Sequence, residues 1–266
     1  MGELVDVVRE GTIVRVVMHR GGNNAIAPDL TEELAAVFSE LGADPRCRAV
    51  ILQSAYERYF SVGADLTAMS GLDRSAPDAE ERIVEMVRRT ARGFQAVATC
   101  PRPVIARING HALGGGCELA LCCDYRVMVE DGRSRIGQTE VGLGIMPGGG
   151  GTQRLVRLLG RARALPLLYE GTRLGGREAE AIGLVHRAVA PGELDRAVDE
   201  LAARLANAPT LAIALIKDAV DRGQDLSLAE ALEVEARNFA RSVLSEDAVA
   251  GVMAFLHKTR PEFKGR

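Results

Sequence analysis

Apolar residues change their spacing along this chain in an order that leaves few architectures open. Short segments rich in Val and Ile, typical of strands, alternate with longer segments whose apolar residues recur on one helical face. The strand-like segments are residues 3–9, 12–18, 48–54, 103–109 and 125–130. From about residue 149 onward the pattern is helical, apart from one short strand candidate at 184–189. This order predicts an α/β core, residues 1–190, followed by a helical C-terminal region, residues 191–266.

The composition is that of an ordinary globular protein. Of 266 residues 47% are hydrophobic, and 33 basic against 36 acidic residues give a net charge of −3. This balance gives no electrostatic reason to expect nucleic acid or an acidic membrane as a principal partner, and no apolar run approaches the roughly 20 residues that span a bilayer. The N-terminus has no secretory pattern, and the five cysteines lack Cys-x-x-Cys spacing. We therefore expect a cytoplasmic protein with buried, reduced thiols.

Three glycines, Gly114 to Gly116, run directly into an apolar segment that contains one acid, Glu118. Desolvating an isolated carboxylate is costly or raises its pKa. A tight turn before a helix, with an acid in the first helical turn, is one explanation. The other is functional, since unpaired N–H groups at a helix N-terminus, uncovered by side chains, can bind a developing oxyanion.

Two further stretches repeat this theme. The segment "YFSVGADL" places Gly63 and Ala64 after a buried strand, where a backbone N–H could point at the same spot, although a turn capped by Asp65 would explain it equally. The segment "GQTEVGLGIMPGGGGTQRL" places Glu140 near the start of a short helix and four glycines before the next. Neither glycine run matches a Walker loop or a dinucleotide fingerprint, so no nucleotide cofactor held by those motifs is expected.

The order of these motifs resembles the enoyl-CoA hydratase/isomerase (crotonase) family over nearly the whole chain. The matching segments are "FSVGADL", "INGHALGGGCELALCCDYRV", "GLGIMPGGGGTQRL" and the closing "FLHKTRPEFKGR". The resemblance implies an α/β fold, a crotonase-like spiral of ββα units, and a helical C-terminal region that packs homotrimers, commonly paired into a hexamer. It also implies an acyl-CoA thioester as the substrate partner. Coenzyme A is then part of the substrate, and neither a separate cofactor nor a metal is expected.

The resemblance also assigns residues. The backbone amides of Ala64 and Gly115 would hold the thioester oxygen, while Glu118 and Glu140 would face the Cα–Cβ region. Apolar surroundings should raise a glutamate's pKa toward neutrality, which suits a group that gives and takes a proton. The other substrate-binding positions implied are Ala25, Asp65, Leu66, Thr67, Phe255 and Lys258. Phe255 and Lys258 are three residues apart, so they are expected to share one helical face.

Two glutamates at these positions match the hydratases of the family, so the resemblance implies a lyase that hydrates 2-enoyl-CoA, as in fatty acid β-oxidation. A double-bond isomerase or another acyl-CoA enzyme of the family is the alternative. A non-catalytic acyl-CoA or RNA-binding homologue is an alternative of another class. Against it, both acids and both oxyanion positions are present, and no aromatic residues interleave with the basic cluster formed by Arg154, Arg157, Arg161 and Arg163.

The chain departs from the family's pattern in a few places. Thr67 stands where many relatives carry a lysine that helps to bind coenzyme A phosphates, and Thr139 precedes Glu140 where proline is frequent. His111 is expected to be packed or at the edge of the pocket. Residues 69–82 are expected to form a mobile loop beside the acyl pocket, on which chain-length preference would depend.

Overall fold

The computed structural model describes residues 2–71, 73 and 75–266. Within them the strands are β1 (Val5–Glu10), β2 (Ile13–Met18), β3 (Ala49–Ser54), β4 (Tyr59–Ser61), β5 (Val104–Ile108), β6 (His111–Leu113), β7 (Tyr125–Val129), β8 (Ile136–Gly137) and β9 (Arg187–Val189). The helices are α1 (Pro28–Ala43), α2 (Thr67–Ser70), α3 (Ala79–Ala98), α4 (Gly115–Leu121), α5 (Gly151–Leu159), α6 (Arg161–Glu170), α7 (Gly176–Ala181), α8 (Leu194–Ala206), α9 (Thr210–Gly223), α10 (Leu228–Val243) and α11 (Glu246–His257). Short 3₁₀ turns cover Glu140–Leu143 and Pro191–Glu193.

The strands form two sheets. A six-stranded sheet has the order β1-β2-β3-β5-β7-β9, in which β1 is antiparallel to β2 and the other neighbours are parallel. A smaller sheet has the order β4-β6-β8 and is parallel throughout. The chain thus adds one strand to the large sheet, one to the small sheet, and then a helix, and repeats this. The predicted α/β class and the spiral of ββα units are confirmed.

The small sheet was not predicted from the sequence. Its strands have two or three residues each, too few to display the alternation by which a strand is recognised. Helix α1 continues one residue past Gly42, to Ala43, and its cap amide, on Asp44, bonds to the carbonyl of Glu40.

The central strands of the large sheet are buried on both faces. On one side Val50, Leu52 and Val104 belong to the main core with α1 and α3, and on the other Ile51 and Ile105 pack against α8. Parallel strands covered on both faces read as continuous apolar runs rather than alternating ones, as "AVIL" does in β3. The division into residues 1–190 and 191–266 stays a prediction. The first helix after it, α8, lies on the sheet.

The last three helices, α9 to α11, lead to an extended tail that is fixed to the rest of the chain. Arg48 donates to the carbonyl oxygens of Ala208 and Phe263, each at 2.7 Å, and the buried carboxylate of Asp247 accepts from the amides of Lys264 and Gly265 at 2.6 and 2.8 Å. In the described part of the chain, no helix has the length and apolar character needed to cross a membrane.

Candidate active site

Three candidate site residues follow the three strands of the small sheet. Ala64 comes after β4, Gly115 after β6 and Glu140 after β8. Because these strands are parallel, their carboxyl ends lie at one edge, which is where α/β proteins commonly bind ligands. The small sheet therefore brings together residues that lie 76 positions apart in the sequence (140 − 64).

The amides of Ala64 and Gly115 face the same space and have no hydrogen-bond acceptor in the described part of the chain. The amide of Ile26 bonds to Gly63 O and the amide of Asp65 bonds to Ile26 O, which leaves the Ala64 N–H pointing elsewhere. Gly115 is the first residue of α4, and no described residue accepts a hydrogen bond from either amide. A Cβ placed on Gly115 would lie 3.4 Å from the Ala64 nitrogen. Such a pair of donors can bind one oxygen that carries negative charge.

Glycine is required at two positions for this approach. Gly63 has a φ of 103°, and a Cβ there would lie 2.8 Å from the carbonyl oxygen of Leu113. Gly114 has a φ of 50°, and its Cβ would lie 3.0 Å from Glu140 Oε1. Side chains at these positions would be strained and would separate the strand ends. The glycines thus let two backbone segments and a carboxyl group converge.

Glu118 lies in the first turn of α4 and is 4% exposed. Its Oε1 accepts hydrogen bonds from the amides of Gly149 at 2.7 Å and Gly151 at 2.8 Å. Burial raises the pKa of this carboxyl, although the two amides favour its charged form. No described residue donates to Oε2, which leaves that oxygen available to a water or a substrate.

Glu140 begins the 3₁₀ turn after β8 and is partly buried. Burial raises its pKa from 4.5 to about 7, and the charge of Glu118 acts in the same direction. With its amide nitrogen turned toward Glu140, the buried Gln138 donates to both carboxyl oxygens, at 3.0 and 3.2 Å. A carboxyl group with a pKa near neutrality can act both as a proton donor and as an acceptor at physiological pH.

The four groups open into one cleft of about 910 Å³. Apolar side chains from α3 and from the loop before α5 form much of its lining, so charges inside it are poorly screened. A larger cavity of about 1240 Å³ contains none of the four groups. It is lined by charges of both signs, and there His111 accepts at Nδ1 from the amide of Arg135 at 3.1 Å.

The predicted positions Ala25, Leu66 and Thr67 are close in the chain to residues that line the cleft but do not line it themselves. Asp65 lines the cleft, and hydrogen bonds from Thr67 lower the pKa of its carboxyl group. Leu66 and Thr67 are exposed. Arg20, which the sequence did not single out, contacts Asp65 at 3.0 Å and the carbonyl of Ala25 at 3.2 Å. A cation therefore lies beside Asp65 although position 67 is not a lysine, and this cation also pairs with Asp29 at 2.9 Å.

The structure does not bring Phe255 and Lys258 to the cleft of the same chain. Phe255 is 83% exposed on α11, and neither residue is among those lining the cleft. The expectation that they share one helical face was wrong. α11 ends at His257, and Lys258 follows in the left-handed conformation with a φ of 54°. Of the predicted loop 69–82, residues 72 and 74 lie outside the described residues, and α3 begins within it at Ala79.

Sequence reasoning missed the groups that hold Glu118 and its helix. The four glycines at 148–151 were noted before a helix, but any residue has a backbone amide, so the sequence does not show what such an amide binds. The buried Arg126 donates to the carbonyl oxygen of Cys123 at 2.7 Å, at the end of α4, and to that of Leu184 at 2.8 Å. An arginine within an otherwise apolar strand, "YRVMV", was the available signal for this contact.

Comparisons with known proteins show to which family the chain belongs. A family model described as enoyl-CoA hydratase/isomerase matches residues 8–266. The chain is 37% identical to a short-chain-enoyl-CoA hydratase of Clostridium acetobutylicum, over 99% of this chain and 100% of that protein. It is 36% identical to a probable enoyl-CoA hydratase of Rhizobium meliloti, over 99% of each chain. The solved structure of an enoyl-CoA hydratase from Bacillus anthracis superposes with a TM-score of 0.90 at 34% identity, covering 99% of this chain and 100% of that one. The chain belongs to the enoyl-CoA hydratase/isomerase family.

Proposed function

We propose that this chain is an enoyl-CoA hydratase, which adds water reversibly to the double bond of 2-enoyl-CoA thioesters. The observation that carries the proposal is that two unpaired amides, of Ala64 and Gly115, and two carboxyl groups, of Glu118 and Glu140, open into one cleft. Cα protons are too weakly acidic for carboxylate chemistry unless the thioester oxygen is stabilised, so both pairs are needed. The names of the relatives support the same activity.

The two glutamates take different roles in this proposal. Glu118 is the base, because two amides fix its Oε1 and partly offset the burial that raises its pKa, while Oε2 has no donor among the described residues and can bind water. Glu140 is the acid, because its pKa of about 7 keeps a large share of it protonated at neutral pH. Gln138 helps to fix the Glu140 carboxyl group.

The reaction then proceeds by proton transfers between named groups. Glu118 takes a proton from water, the water oxygen bonds to Cβ, and the electrons of the double bond move toward the thioester oxygen. The amides of Ala64 and Gly115 stabilise the enolate, and one such donor typically lowers the barrier by about 3 kcal/mol. Cα takes a proton from Glu140, and exchange with solvent returns both carboxyl groups to their starting forms. No further cofactor enters these steps.

Hydration of crotonyl-CoA, followed by loss of the conjugated thioester absorbance, tests the proposal. Glu118→Gln and Glu140→Gln should each lower kcat by about 10²–10⁴-fold, while the thioester still binds. Glu130→Gln is the matched control, since Glu130 also accepts hydrogen bonds from backbone amides but does not line the cleft. Near wild-type hydration by either cleft variant would contradict its role.

The same assay separates the alternatives. A wild-type chain that converts 3-enoyl-CoA to 2-enoyl-CoA without hydrating crotonyl-CoA would be an isomerase, and one that only binds acyl-CoA would be a non-catalytic homologue. An RNA-binding role has less support, because Arg154 contacts Gln95 and Arg157 pairs with Asp225. A salt-dependent shift in the electrophoretic mobility of RNA on addition of the protein would support an RNA-binding role.

We also propose that the chain forms homotrimers or hexamers and acts in the cytoplasm. The last three helices expose many large apolar side chains, more than isolated chains usually leave in water. Examples are Leu228, Phe239, Leu244, Val249, Phe255 and Leu256. A monodisperse monomer by light scattering at micromolar concentration would overturn the assembly.

In this assembly we propose that Phe255 and Lys258 reach an acyl-CoA, of their own or a neighbouring subunit. Lys258→Ala should raise KM for acyl-CoA several-fold with kcat nearly unchanged, the signature of lost uniform binding. The variant should matter little for a truncated pantetheine thioester, which lacks the nucleotide phosphates. An equal loss on both substrates would mean that Lys258 acts through folding.

A further inference from the structure

An apolar stripe on α3 leads away from the buried carboxyl group of Glu118. The stripe begins near Phe94, which is buried, and a Cβ on Gly149 would lie 2.6 Å from both its ring and Glu118 Oε2. Toward the N-terminus of α3, positions three or four residues apart share one helical face. The residues of the stripe that line the cleft are Thr90, Val87, Met86 and Ile83.

The loop between the 3₁₀ turn and α5 forms the opposite wall. Ile145, Met146 and Pro147 line it, and a Cβ on Gly148 would lie 3.6 Å from a methyl group of Val87, so the two walls approach each other there. At the outer end Met146 is 68% exposed and Ile83 36% exposed. Apolar side chains are thus left in water at the end of a channel that begins at the reacting groups.

The length of the apolar stripe indicates how long an acyl chain it can cover. Thr90 and Ile83 are seven residues apart (90 − 83), and a helix rises about 1.5 Å per residue, which gives about 10 Å. An extended hydrocarbon chain of that length has about eight methylene groups, given C–C bonds of about 1.5 Å. Among the described residues that form these two walls, none carries a charged side chain.

We propose that this cleft prefers 2-enoyl-CoA thioesters with an unbranched, apolar acyl chain of about ten carbons, and that Val87 is a specificity-determining residue. The proposal rests on the proposed hydratase function and names its substrate class. The acyl chain beyond Cβ lies between α3 and the loop wall, and the carbons past Ile83 lie in solvent. A polar or charged substituent on the chain would be desolvated there without a partner.

Steady-state hydration of a series of 2-enoyl-CoA substrates with 4, 6, 8, 10, 12 and 16 carbons tests this. KM should fall about two- to fourfold for each added methylene up to about ten carbons, as expected for burial of one CH₂, and then level off. A KM independent of chain length, or one that rises from four carbons onward, would overturn the proposal. Absence of any hydration of crotonyl-CoA would instead refute the hydratase function itself.

Variants on α3 locate the effect. Val87→Trp should narrow the channel and lower the ratio of kcat/KM for the ten-carbon over the four-carbon substrate by at least tenfold. Val87→Thr, nearly isosteric, should lower the same ratio about threefold by making the wall polar. Val84→Trp is the control, because Val84 is exposed on the same helix but does not line the cleft, and its ratio should match the wild type. An unchanged ratio in both Val87 variants, or an equal fall in Val84→Trp, would show that α3 does not select chain length.

Discussion

Replacing Glu140 by glutamine should stabilise the folded chain at alkaline pH and leave its stability almost unchanged near pH 4.5. Burial raises the folded-state pKa of Glu140 from 4.5 to about 7, so folding favours its protonated form. The stability that this group contributes is fully present below pH 4.5 and is lost as the pH rises through 7. Glutamine resembles the protonated acid at every pH and escapes this loss.

The size of the gain follows from the shift. The rise in the pKa of Glu140 from 4.5 to about 7 corresponds to about 3 kcal/mol of lost folding stability once the group is fully ionised, at 1.36 kcal/mol per pKa unit. Since the carboxyl group is only partly buried, solvent screening reduces this, and we expect about 1–3 kcal/mol above pH 7. The amide can still accept a hydrogen bond from Gln138, so the contact is retained.

Urea unfolding monitored by circular dichroism at pH 5, 7 and 8.5, at one fixed protein concentration, measures the effect. The difference in unfolding free energy between variant and wild type should grow from pH 5 to pH 8.5, with unchanged m-values. Glu130→Gln, at a carboxyl group outside the cleft, should show no such growth. If Glu140→Gln matched the wild type at all three pH values, the carboxyl group would not be held in a protonating environment, and its role as acid would lose its basis.

Three further substitutions test other parts of the structure. Gly149→Ala would place a carbon 2.6 Å from Glu118 Oε2 and should lower the rate of crotonyl-CoA hydration about 100-fold. Gly148→Ala is the control, because its added carbon would lie 3.6 Å from the nearest neighbour, and it should lose far less activity. Equal losses in the two variants would contradict the steric argument. Arg126→Met leaves buried carbonyl oxygens at the end of α4 without donors and should lower the unfolding free energy by about 3 kcal/mol, measured by urea unfolding. Asp247→Asn weakens two hydrogen bonds to the tail and should speed its removal by carboxypeptidase; an unchanged rate would show that the tail is fixed elsewhere.

The sequence predicted the parts of this molecule that depend on particular residue types. Glycines with positive φ, such as Gly63 and Gly114, and acids among apolar residues, such as Glu118, are visible because few other residues suit those places. The large sheet with its helices was likewise visible, since its central strands contain apolar runs bounded by turns.

The features that were not predicted depend mostly on backbone contacts, which any residue can make, or on pairings between residues distant in the chain. The strands of the small sheet are too short to show a pattern, and the amide of Gly149 binds Glu118 through the backbone alone. The end of α11 before Lys258 was missed because a three-residue spacing implies a shared face only while the helix continues. The ion pair between Arg20 and Asp65 was missed because Arg20 lies 45 residues before Asp65 in the chain (65 − 20).

The segment from residue 144 to residue 151 connects the wall of the cleft to the carboxyl group of Glu118. In its first half, Ile145 and Met146 line the cleft. In its second half, the amides of Gly149 and Gly151 donate hydrogen bonds to Oε1 of Glu118. A thioester that displaced the first half would be expected to shift these two amides, and the Glu118 carboxylate would then lose its position. Poorly fitting thioesters would therefore be retained yet turned over slowly, so the fit of a chain end far from the double bond is felt in kcat as well as in KM.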